Sequence, residues 1–568
     1  MSNIKAKFIM IQGTSSSAGK SALTAGLLRY FSGRGVNCSP FKSQNMSLNS
    51  FVTEDGFEIA VSQAVQSEAA FKKPLRQMNP VLIKPLSDNE MHLIVDGKHF
   101  GNMNFKDYNG RKDFFLEKAA CSFEFLASLN DLILIEGAGS PAEINLFKYD
   151  IANMGFAEIY DIPVILAADI ERGGVFASIY GTVKLLPAKW RKLVKGFIIN
   201  KFRGDFSILE PGIRQIEKKL KIPCLGVIPH IKNLHLEAED SLNFKQPDIY
   251  AGEAPKGVKE AEERRFNIGI VRLNHISNFN EFDPLFFDER LSVEFFDEVP
   301  YKADKFDMII IPGSKSTASD LAILKNSGLF DYINSFEKNG KGIIMGICGG
   351  FQMMGERITD PYNLESSAGF LSENGISGFG FFRTETEISK EKFLAAKKYR
   401  FKLSAADCPS FLDGYEIHNG RTFLSKNCYG SGIISGGNIT DLFEPAEGKD
   451  ACNGGFLPET GILSILSEDK RKIGTYIHGL FGNEIFKDFV IELLNKSIKN
   501  EKNGNEGKNE GKKKNFINGE TGGYSYKSYK SCKSYKSYKD VKNDSFNLLS
   551  ENIEKHINIA LLEYIING

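Results

Sequence analysis

A cysteine in the stretch Gly342 to Gly355, GIIMGICGGFQMMG, has the setting that most strongly indicates chemistry. A short apolar run precedes Cys348 and a helical pattern begins at Phe351, which predicts a tight strand-to-helix turn lined by glycines. A thiol on such a turn is open to substrate and lies near helix N-terminal amides, which favour the thiolate. The pattern favours a nucleophile; the alternative is a buried structural cysteine beside turn-forming glycines.

A thiol nucleophile needs a base, and the chain offers eight histidines. His478 follows a strand predicted over 473–477 and precedes a glycine, so it can project from a strand end as the partner of the cysteine. His418 lies in a similar setting and is the second choice. For either residue the alternative is a hydrogen-bonded structural histidine. The backbone amides at Gly313 and Gly349 are predicted to stabilise an oxyanion.

A second motif lies near the N-terminus. A buried strand over 8–12 leads into GTSSSAGKS and then into an amphipathic helix that reaches about Phe31. This order is typical of a P-loop, whose amides bind phosphate while its lysine reaches the β- and γ-phosphates. Five residues, not four, separate its two glycines, and the alternative is a serine-rich loop that only starts a helix. The predicted ATP-binding residues are Gly13, Thr14, Gly19, Lys20 and Ser21.

A carboxylate follows another apolar strand, predicted over 132–135. Because α/β sheets bind ligands at the carboxyl ends of their strands, Glu136 and the P-loop hydroxyl of Ser21 are predicted to hold Mg²⁺. The alternative for Glu136 is a helix N-cap. The amide- and hydroxyl-rich loop over 41–50, FKSQNMSLNS, either holds a polar ligand or is an ordinary turn-rich loop.

Strands alternate with helical segments through most of the chain. This alternation predicts an α/β protein with doubly wound, mostly parallel sheets. A Pro-, Gly- and charge-rich stretch over 246–265 lacks apolar periodicity and predicts a linker between a first domain, 1–245, and a second domain, 266–496. Further apolar strands are predicted over 163–168, 196–200, 224–229, 266–271 and 308–311.

The C-terminal part of the sequence has a different composition. Residues 497–545 are low in complexity and include a serine–tyrosine–lysine repeat, Ser525 to Lys539. Tyrosines interleaved with basic residues can bind an anionic polymer, but the shortage of apolar residues favours a disordered insertion. Apolar residues return at helical spacing over 546–568, which predicts an amphipathic helix docked on the core.

The overall composition argues against a nucleic-acid-binding, membrane-associated or secreted protein. Among the 568 residues, 71 basic side chains balance 71 acidic ones, which gives no indication of a nucleic-acid or membrane partner. Eight scattered cysteines without a CxxC pair suit a reducing compartment. The first apolar run has only five residues, too short for a signal peptide. We therefore expect a cytoplasmic protein, and the oligomeric state stays open.

The motifs also resemble a known family. GICGGFQMMG and YIHGLFGN are similar to the cysteine and histidine motifs of class I-like glutamine amidotransferases. Ordinary class I members carry a glutamate two positions after the histidine; here that residue is Leu480, which leaves the group that orients His478 unassigned. Many relatives carry Asp at the position of Ser17. The full ordered set resembles the cobyric acid synthase family, in the branch that amidates cobyrinic acids: GTSSSAGKS, FKSQNMSLNS, EGAGSPAEINL, DIANMGFA, DIERGGVFAS, FIINKFRGD, GSKSTASDL, GICGGFQMMG, GYEIHNGRT and GTYIHGLFGN.

This resemblance implies a dethiobiotin-synthetase-like P-loop amidoligase domain over 1–245 and a glutamine amidotransferase domain over 266–496. It implies a carbon–nitrogen ligase of cobalamin biosynthesis that amidates the b, d, e and g carboxylates of adenosylcobyrinic acid a,c-diamide. ATP with Mg²⁺ would phosphorylate each carboxylate, and ammonia made from glutamine at Cys348 would displace the phosphate. The corrinoid would be a substrate and not a bound cofactor. The alternatives are a related amidase, such as cobyrinic acid a,c-diamide synthase, and a ParA-like P-loop switch or scaffold.

Overall fold

The computed structural model of the chain describes residues 5–85, 90–232, 234–237, 265–365, 375–403, 410–425, 441–445, 461–506 and 537–568. The backbone divides into two compact units. Unit 1 comprises residues 1–242 and 539–568, and unit 2 comprises residues 243–538. The predicted linker, apart from Arg265, and residues 507–536 of the predicted insertion lie outside the described residues. Among the helices that are described, none is long and apolar enough to span a membrane.

The first part of unit 1 alternates strands and helices, as the apolar runs predicted. Its elements are β1 Lys7–Gly13, α1 Lys20–Ser32, β2 Cys38–Phe41, β3 Gln44–Met46, β4 Ser50–Val52, β5 Glu58–Ala60, α2 Val61–Ala69, β6 Val81–Pro85, β7 Glu90–Val95, β8 Lys98–Asn104, α3 Phe105–Gly110, α4 Lys112–Leu129, β9 Leu132–Glu136, α5 Met154–Ala157, β10 Val164–Asp169, α6 Val175–Leu185, α7 Ala188–Arg191, β11 Val194–Phe202, α8 Phe206–Leu220 and β12 Cys224–Pro229.

Six parallel strands form the central sheet of unit 1 in the order β12-β11-β10-β1-β9-β2. Successive side chains of a strand point to opposite faces, so Met10 packs with α4, α6 and α8 while Ile9 and Ile11 pack on the other face with α1 and α2. Burial on both faces explains the continuous apolar runs. The predicted doubly wound sheet is confirmed, and its order places the loop after β1 between the ends of β9 and β10.

Two smaller sheets complete the described strands of unit 1. Strand β3 pairs parallel with β6, which continues antiparallel through β7 to β8. Strands β4 and β5 form an antiparallel pair. Together these strands hold the predicted polar loop over 41–50, most of which is buried.

Unit 2 carries a second alternating pattern. Its elements are β13 Phe266–Val271, α9 Asp283–Phe286, β14 Leu291–Phe296, β15 Met308–Ile311, α10 Thr317–Ser327, α11 Leu329–Lys338, β16 Ile343–Ile347, α12 Gly349–Met353, β17 Arg357–Thr359, β18 Ile376–Ser377, β19 Thr384–Phe401, β20 Ser410–Leu424, β21 Phe443–Pro445, β22 Ser464–Leu466, β23 Lys472–Thr475, β24 Ile477–His478 and α13 Glu484–Glu506.

The main sheet of unit 2 has the order β14-β13-β15-β16-β23-β22, parallel except for its last strand. A second sheet contains β18-β17-β19-β20-β24, with β21 paired to β19. The strand predicted over 473–477 is divided at Tyr476, because the chain leaves the main sheet after β23 and joins the second sheet as β24. This change of sheet places His478 beside the end of β16.

The C-terminal segment folds as two helices in place of the single helix predicted over 546–568: α14 Tyr538–His556 and α15 Ile559–Asn567. The break occurs where the Asn558 N–H donates to Leu225 O (2.7 Å) and its side chain caps α15. Buried residues of α14, including Ile553, join the core face formed by α1. The low-complexity composition over 497–545 also did not predict where the neighbouring helices end. α13 extends to Glu506 and α14 begins at Tyr538, because Lys and Glu favour helix without needing burial.

Candidate active sites

The predicted strand–turn–helix around Cys348 is present. β16 ends at Ile347, and Cys348 adopts φ 52° and ψ −108° before α12 begins. A non-glycine residue at positive φ is strained, and such residues are concentrated at functional sites. The close packing requires glycine two residues further on, because a Cβ atom at Gly350 would lie 1.9 Å from Ile311 O. Since α12 has only five residues, its dipole contributes less to thiol activation than the sequence pattern suggested.

His478 is fully buried and forms an ion pair with a carboxylate that the motifs did not reveal. Its Nδ1 donates to Glu281 Oε1 at 2.9 Å, and Glu281 Oε2 accepts from the Gly479 N–H at 3.3 Å. The other ring nitrogen, Nε2, is buried and has no hydrogen-bond partner within the described parts of the chain. Glu281 therefore fixes the ring orientation and tautomer and leaves Nε2 for proton transfer.

The surroundings of His478 favour its charged form. Burial alone lowers the pKa of the imidazole, but the Glu281 carboxylate and the neighbouring Cys348 raise it, and the resulting pKa is about 10. At neutral pH His478 is therefore an imidazolium. A cationic imidazole next to a sulfur atom stabilises the thiolate form of a cysteine, which is the nucleophilic form.

The second-choice histidine, His418, has a different environment. Its Nδ1 faces Gly420 O at 2.8 Å and its Nε2 faces Glu416 Oε2 at 3.3 Å, so both ring nitrogens are engaged. The ring stacks on Tyr476 with centroids 3.9 Å apart. These contacts fit a structural histidine, although its neighbour on β20 is close to Cys348, whose Sγ lies 3.7 Å from Ile417 O.

The two glycines predicted to supply oxyanion amides lie at this site. A Cβ atom at Gly313 would be 3.4 Å from His478 Cε1, so the loop after β15 passes directly beside the imidazole. A Cβ atom at Gly349 would be 2.8 Å from the Ser314 backbone nitrogen. The turn after β15 and the elbow after β16 thus meet because β15 and β16 are neighbours in the sheet.

In unit 1 the loop between β1 and α1 has the P-loop arrangement. Gly19 precedes α1 at φ 91°, and a Cβ atom there would lie 2.1 Å from Asn200 Nδ2, so only glycine fits. The Lys20 ammonium group donates to two backbone carbonyls, Ser15 O at 3.2 Å and Gly139 O at 3.1 Å. The Thr14 N–H donates to Ala167 O (2.9 Å), which extends the sheet and removes that amide from the set that can face a phosphate.

Glu136 is fully buried at the end of β9 and is surrounded by donors. Its Oε1 accepts from Ser21 Oγ at 2.9 Å and from Lys42 Nζ at 3.0 Å, and its Oε2 accepts from Gln66 Nε2. The structure thus brings together the two predicted metal ligands, Ser21 and Glu136. The N-cap alternative for Glu136 is not observed among these contacts.

The donor set at this point fits Mg²⁺. Ser21 and Glu136 offer hard oxygen atoms, the ligands Mg²⁺ prefers, and phosphate and water complete its shell in nucleotide sites. Among the described residues there is no group of three or more His, Cys, Asp or Glu side chains arranged to bind a metal. A metal here would therefore depend on these two residues and on the bound nucleotide.

Comparison with known proteins gives two family matches and many similar chains. Residues 9–243 match the CobQ/CobB/MinD/ParA nucleotide binding domain, and residues 267–486 match the CobB/CobQ-like glutamine amidotransferase domain. The cobyric acid synthase of Clostridium novyi is 41% identical over 494 residues, covering 87% of this chain and 90% of that protein. The probable cobyric acid synthase of Methanothermobacter thermautotrophicus is 42% identical over 497 residues, covering 86% and 91%. This chain belongs to the cobyric acid synthase family.

Membership of the cobyric acid synthase family confirms the predicted order of a P-loop domain followed by a glutamine amidotransferase domain. It also confirms the prediction of a ligase of cobalamin biosynthesis, and the nucleotide-binding domain supports the use of ATP. The metal, the cellular location and the individual site residues stay predictions.

Within this cobyric acid synthase family member, sequence reasoning missed three residues that complete the two sites. Glu281 lies in a single 3₁₀ turn, Phe279–Phe282, and is 197 residues from its partner His478. Lys42 and Gln66 reach Glu136 across 94 and 70 residues. The usable signal for Glu281 was a carboxylate between two phenylalanines, one of which is separated from it by Asn280, and for Lys42 a cation directly after a buried strand end.

Proposed function

We propose that this chain catalyses the ATP- and glutamine-dependent amidation of the b, d, e and g carboxylates of adenosylcobyrinic acid a,c-diamide, which yields cobyric acid. The observation that carries the proposal is the combination in one chain of a cysteine–histidine–glutamate site with a P-loop site. A carboxylate is a poor acyl donor until its oxygen becomes a good leaving group. The reaction therefore needs both a phosphorylating site and a source of unprotonated ammonia.

In unit 2 the proposed reaction is the hydrolysis of glutamine. The Cys348 thiolate attacks the side-chain amide carbon, and the oxyanion that forms is stabilised by amides at Gly313 and Gly349. His478 gives its Nε2 proton to the departing nitrogen, which leaves as ammonia, and a glutamyl thioester remains. Water activated by the neutral imidazole then hydrolyses the thioester and releases glutamate. Glu281 holds the ring and its charge through these steps.

In unit 1 the proposed reaction is acyl phosphate formation followed by amide formation. A substrate carboxylate oxygen attacks the γ-phosphorus of ATP, and ADP leaves. Lys20 neutralises charge on the β- and γ-phosphates, and Ser21 and Glu136 would hold Mg²⁺, which would neutralise further charge there. Ammonia then attacks the acyl carbon, phosphate departs, and a proton is lost to give the amide.

The domain bounds, the location and the ATP-binding residues also belong to this proposal. The P-loop amidoligase domain extends over 1–245, the glutamine amidotransferase domain over 266–496, and a cytoplasmic location suits ATP, glutamine and corrinoid as substrates. Gly13, Gly19, Lys20 and Ser21 bind ATP. Thr14 belongs to the loop, but its amide serves the sheet in this conformation.

Glu281→Gln is expected to lower the glutaminase rate on the order of 10²- to 10⁴-fold, because an amide cannot hold the imidazolium or its tautomer as a carboxylate does. Glu281 raises the pKa of His478, so its removal lowers that pKa from about 10. His478 then loses its proton at a lower pH than in the wild-type protein. We expect the alkaline limb of the glutaminase pH–rate profile to move to lower pH.

Glu492→Gln, on a half-exposed face of α13, provides the matched control and should leave both rate and profile unchanged. A wild-type alkaline limb in Glu281→Gln, in protein with an unchanged melting temperature, would show that Glu281 does not set the protonation of His478.

The proposed function is tested by mass spectrometry of products formed from cobyrinic acid a,c-diamide, as its adenosyl form, with glutamine and ATP. We expect four successive increments of carboxyl-to-amide conversion, with one ATP and one glutamine consumed at each. No loss of the diamide would exclude the proposal. Amidation of cobyrinic acid in place of the diamide would identify the related a,c-diamide synthase, and ATP turnover without any amidation would favour a P-loop switch.

A further inference from the structure

A continuous row of buried polar side chains runs from β3 to Glu136 in unit 1. The Asn45 side-chain amide donates to Ser62 Oγ (3.0 Å) and to Gln63 Oε1 (3.1 Å). Gln63 Nε2 donates to Gln66 Oε1 (3.5 Å), and Gln66 Nε2 donates to Glu136 Oε2. None of these side chains exceeds 7% exposure. We call Asn45, Gln63 and Gln66 the amide row.

The direction of the hydrogen bonds along the amide row is determined by the Glu136 carboxylate at its end. An ionised carboxylate only accepts hydrogen bonds, so the Gln66 amide must turn its NH₂ group toward Glu136 and its oxygen toward Gln63. Gln63 must then donate to Gln66 and use its own oxygen to accept from Asn45. Each amide therefore holds the next in the orientation that delivers a donor to Glu136.

Glu136 needs such a donor because the terminal torsion of a glutamate side chain is broad and is not determined by rotamer preference. Ser21 and Lys42 both contact Oε1, and a single contacted oxygen leaves the carboxylate plane free to rotate. The contact from Gln66 to Oε2 fixes that plane. A neutral donor is suited to this position, since it orients the carboxylate without adding a second cation that would compete with a metal ion.

We infer that Gln66 is a positioning residue of the nucleotide site, which fixes the Glu136 carboxylate for Mg²⁺ and is itself oriented by Gln63 and Asn45. The inference rests on the proposed function of Ser21 and Glu136 as the metal-binding pair. It also gives the buried polar segment around β3 a role: the segment anchors the row that reaches the metal site.

The test is the Mg²⁺ dependence of nucleotide binding by the full chain, measured by calorimetric titration with ATP at a series of Mg²⁺ concentrations and in EDTA. Gln66→Met keeps the length of the side chain but removes the donor. We expect the half-saturating Mg²⁺ concentration to rise about 10- to 100-fold, as for the loss of other groups that orient a metal ligand. Binding of metal-free ATP should be unchanged, because Lys20 and the loop amides remain.

Gln63→Met removes the support of Gln66 and should shift the Mg²⁺ requirement in the same direction by a smaller factor. Gln215→Met, on the exposed side of α8, is the matched control and should leave it unchanged. Glutaminase activity and the fluorescence of Trp190, the only tryptophan, monitor folding of units 2 and 1 respectively. If Gln66→Met does not fold, Gln63→Met decides the question.

Failure of this inference and failure of the proposed metal-binding pair would give different results. A wild-type Mg²⁺ requirement in folded Gln66→Met, or in Gln63→Met when the first variant does not fold, would overturn the inference and leave the nucleotide site intact. Binding of ATP by the wild-type chain without any Mg²⁺ dependence would instead remove the metal-binding pair from the proposed function.

Discussion

Cys348→Ser is expected to abolish amidation with glutamine, by on the order of 10⁴-fold or more, while amidation with ammonium salts continues at the wild-type rate. A hydroxyl group is a weaker nucleophile than a thiolate, and the imidazolium of His478 stabilises charge on sulfur without serving as a base for a serine. The measurement is corrinoid amide formation by mass spectrometry with each nitrogen donor in turn. In the proposed mechanism the carboxylate is activated in unit 1, so unit 1 needs only ammonia from elsewhere.

Cys121→Ser is the matched control, since Cys121 is an exposed free cysteine of α4 in unit 1. It should support both reactions. If Cys348→Ser keeps glutamine-dependent activity, the elbow cysteine is structural, as the alternative interpretation of the sequence allowed. If the variant loses activity with glutamine and ammonia equally while its fold is retained, the division of labour between two sites is wrong.

The parts of the fold that the sequence predicted best are continuous apolar strands with turn residues at each end. The strands over 224–229, 266–271 and 308–311 have the predicted bounds. In the last two, most residues are buried in a parallel sheet, which explains their continuous apolar runs. The strand before His478 was harder. The run Ile473 to Ile477 contains no Pro, Asn or Asp turn signal, so nothing local marks Tyr476 as the point where the chain leaves one sheet for another.

The residues of the candidate sites also divide into those that a local pattern predicts and those that it does not. Cys348, His478 and Glu136 were recognisable because each lies where a strand ends, and Lys20 because it belongs to a P-loop motif before a helix; the local pattern reveals both positions. Glu281, Lys42 and Gln66 were not, since their importance arises only from partners at least 70 residues away. The rule that places a glutamate two residues after the histidine leads to Leu480, which is buried in the core. The carboxylate reaches the same imidazole from a different segment.

Lys20→Met is expected to have the converse effect of Cys348→Ser. Lys20 is buried and held by the carbonyls of Ser15 and Gly139, so its charge is already in place before a nucleotide arrives. Loss of a preorganised cation on a transferring phosphoryl group costs on the order of 10³-fold in rate. Amidation should therefore fall by that factor with glutamine and with ammonia alike, whereas glutamine hydrolysis measured without corrinoid should persist.

Lys195→Met, at an exposed position of β11 in the same unit, controls for loss of a lysine from the sheet and should leave both activities unchanged. Ammonia-dependent amidation at the wild-type rate in Lys20→Met would mean that the loop after β1 does not activate the carboxylate. Because the cysteine variant should keep only ammonia-dependent amidation and the lysine variant only glutamine hydrolysis, the pair of results separates nitrogen supply from acyl activation. A single shared site cannot produce that pattern, since one substitution in it would impair both reactions together.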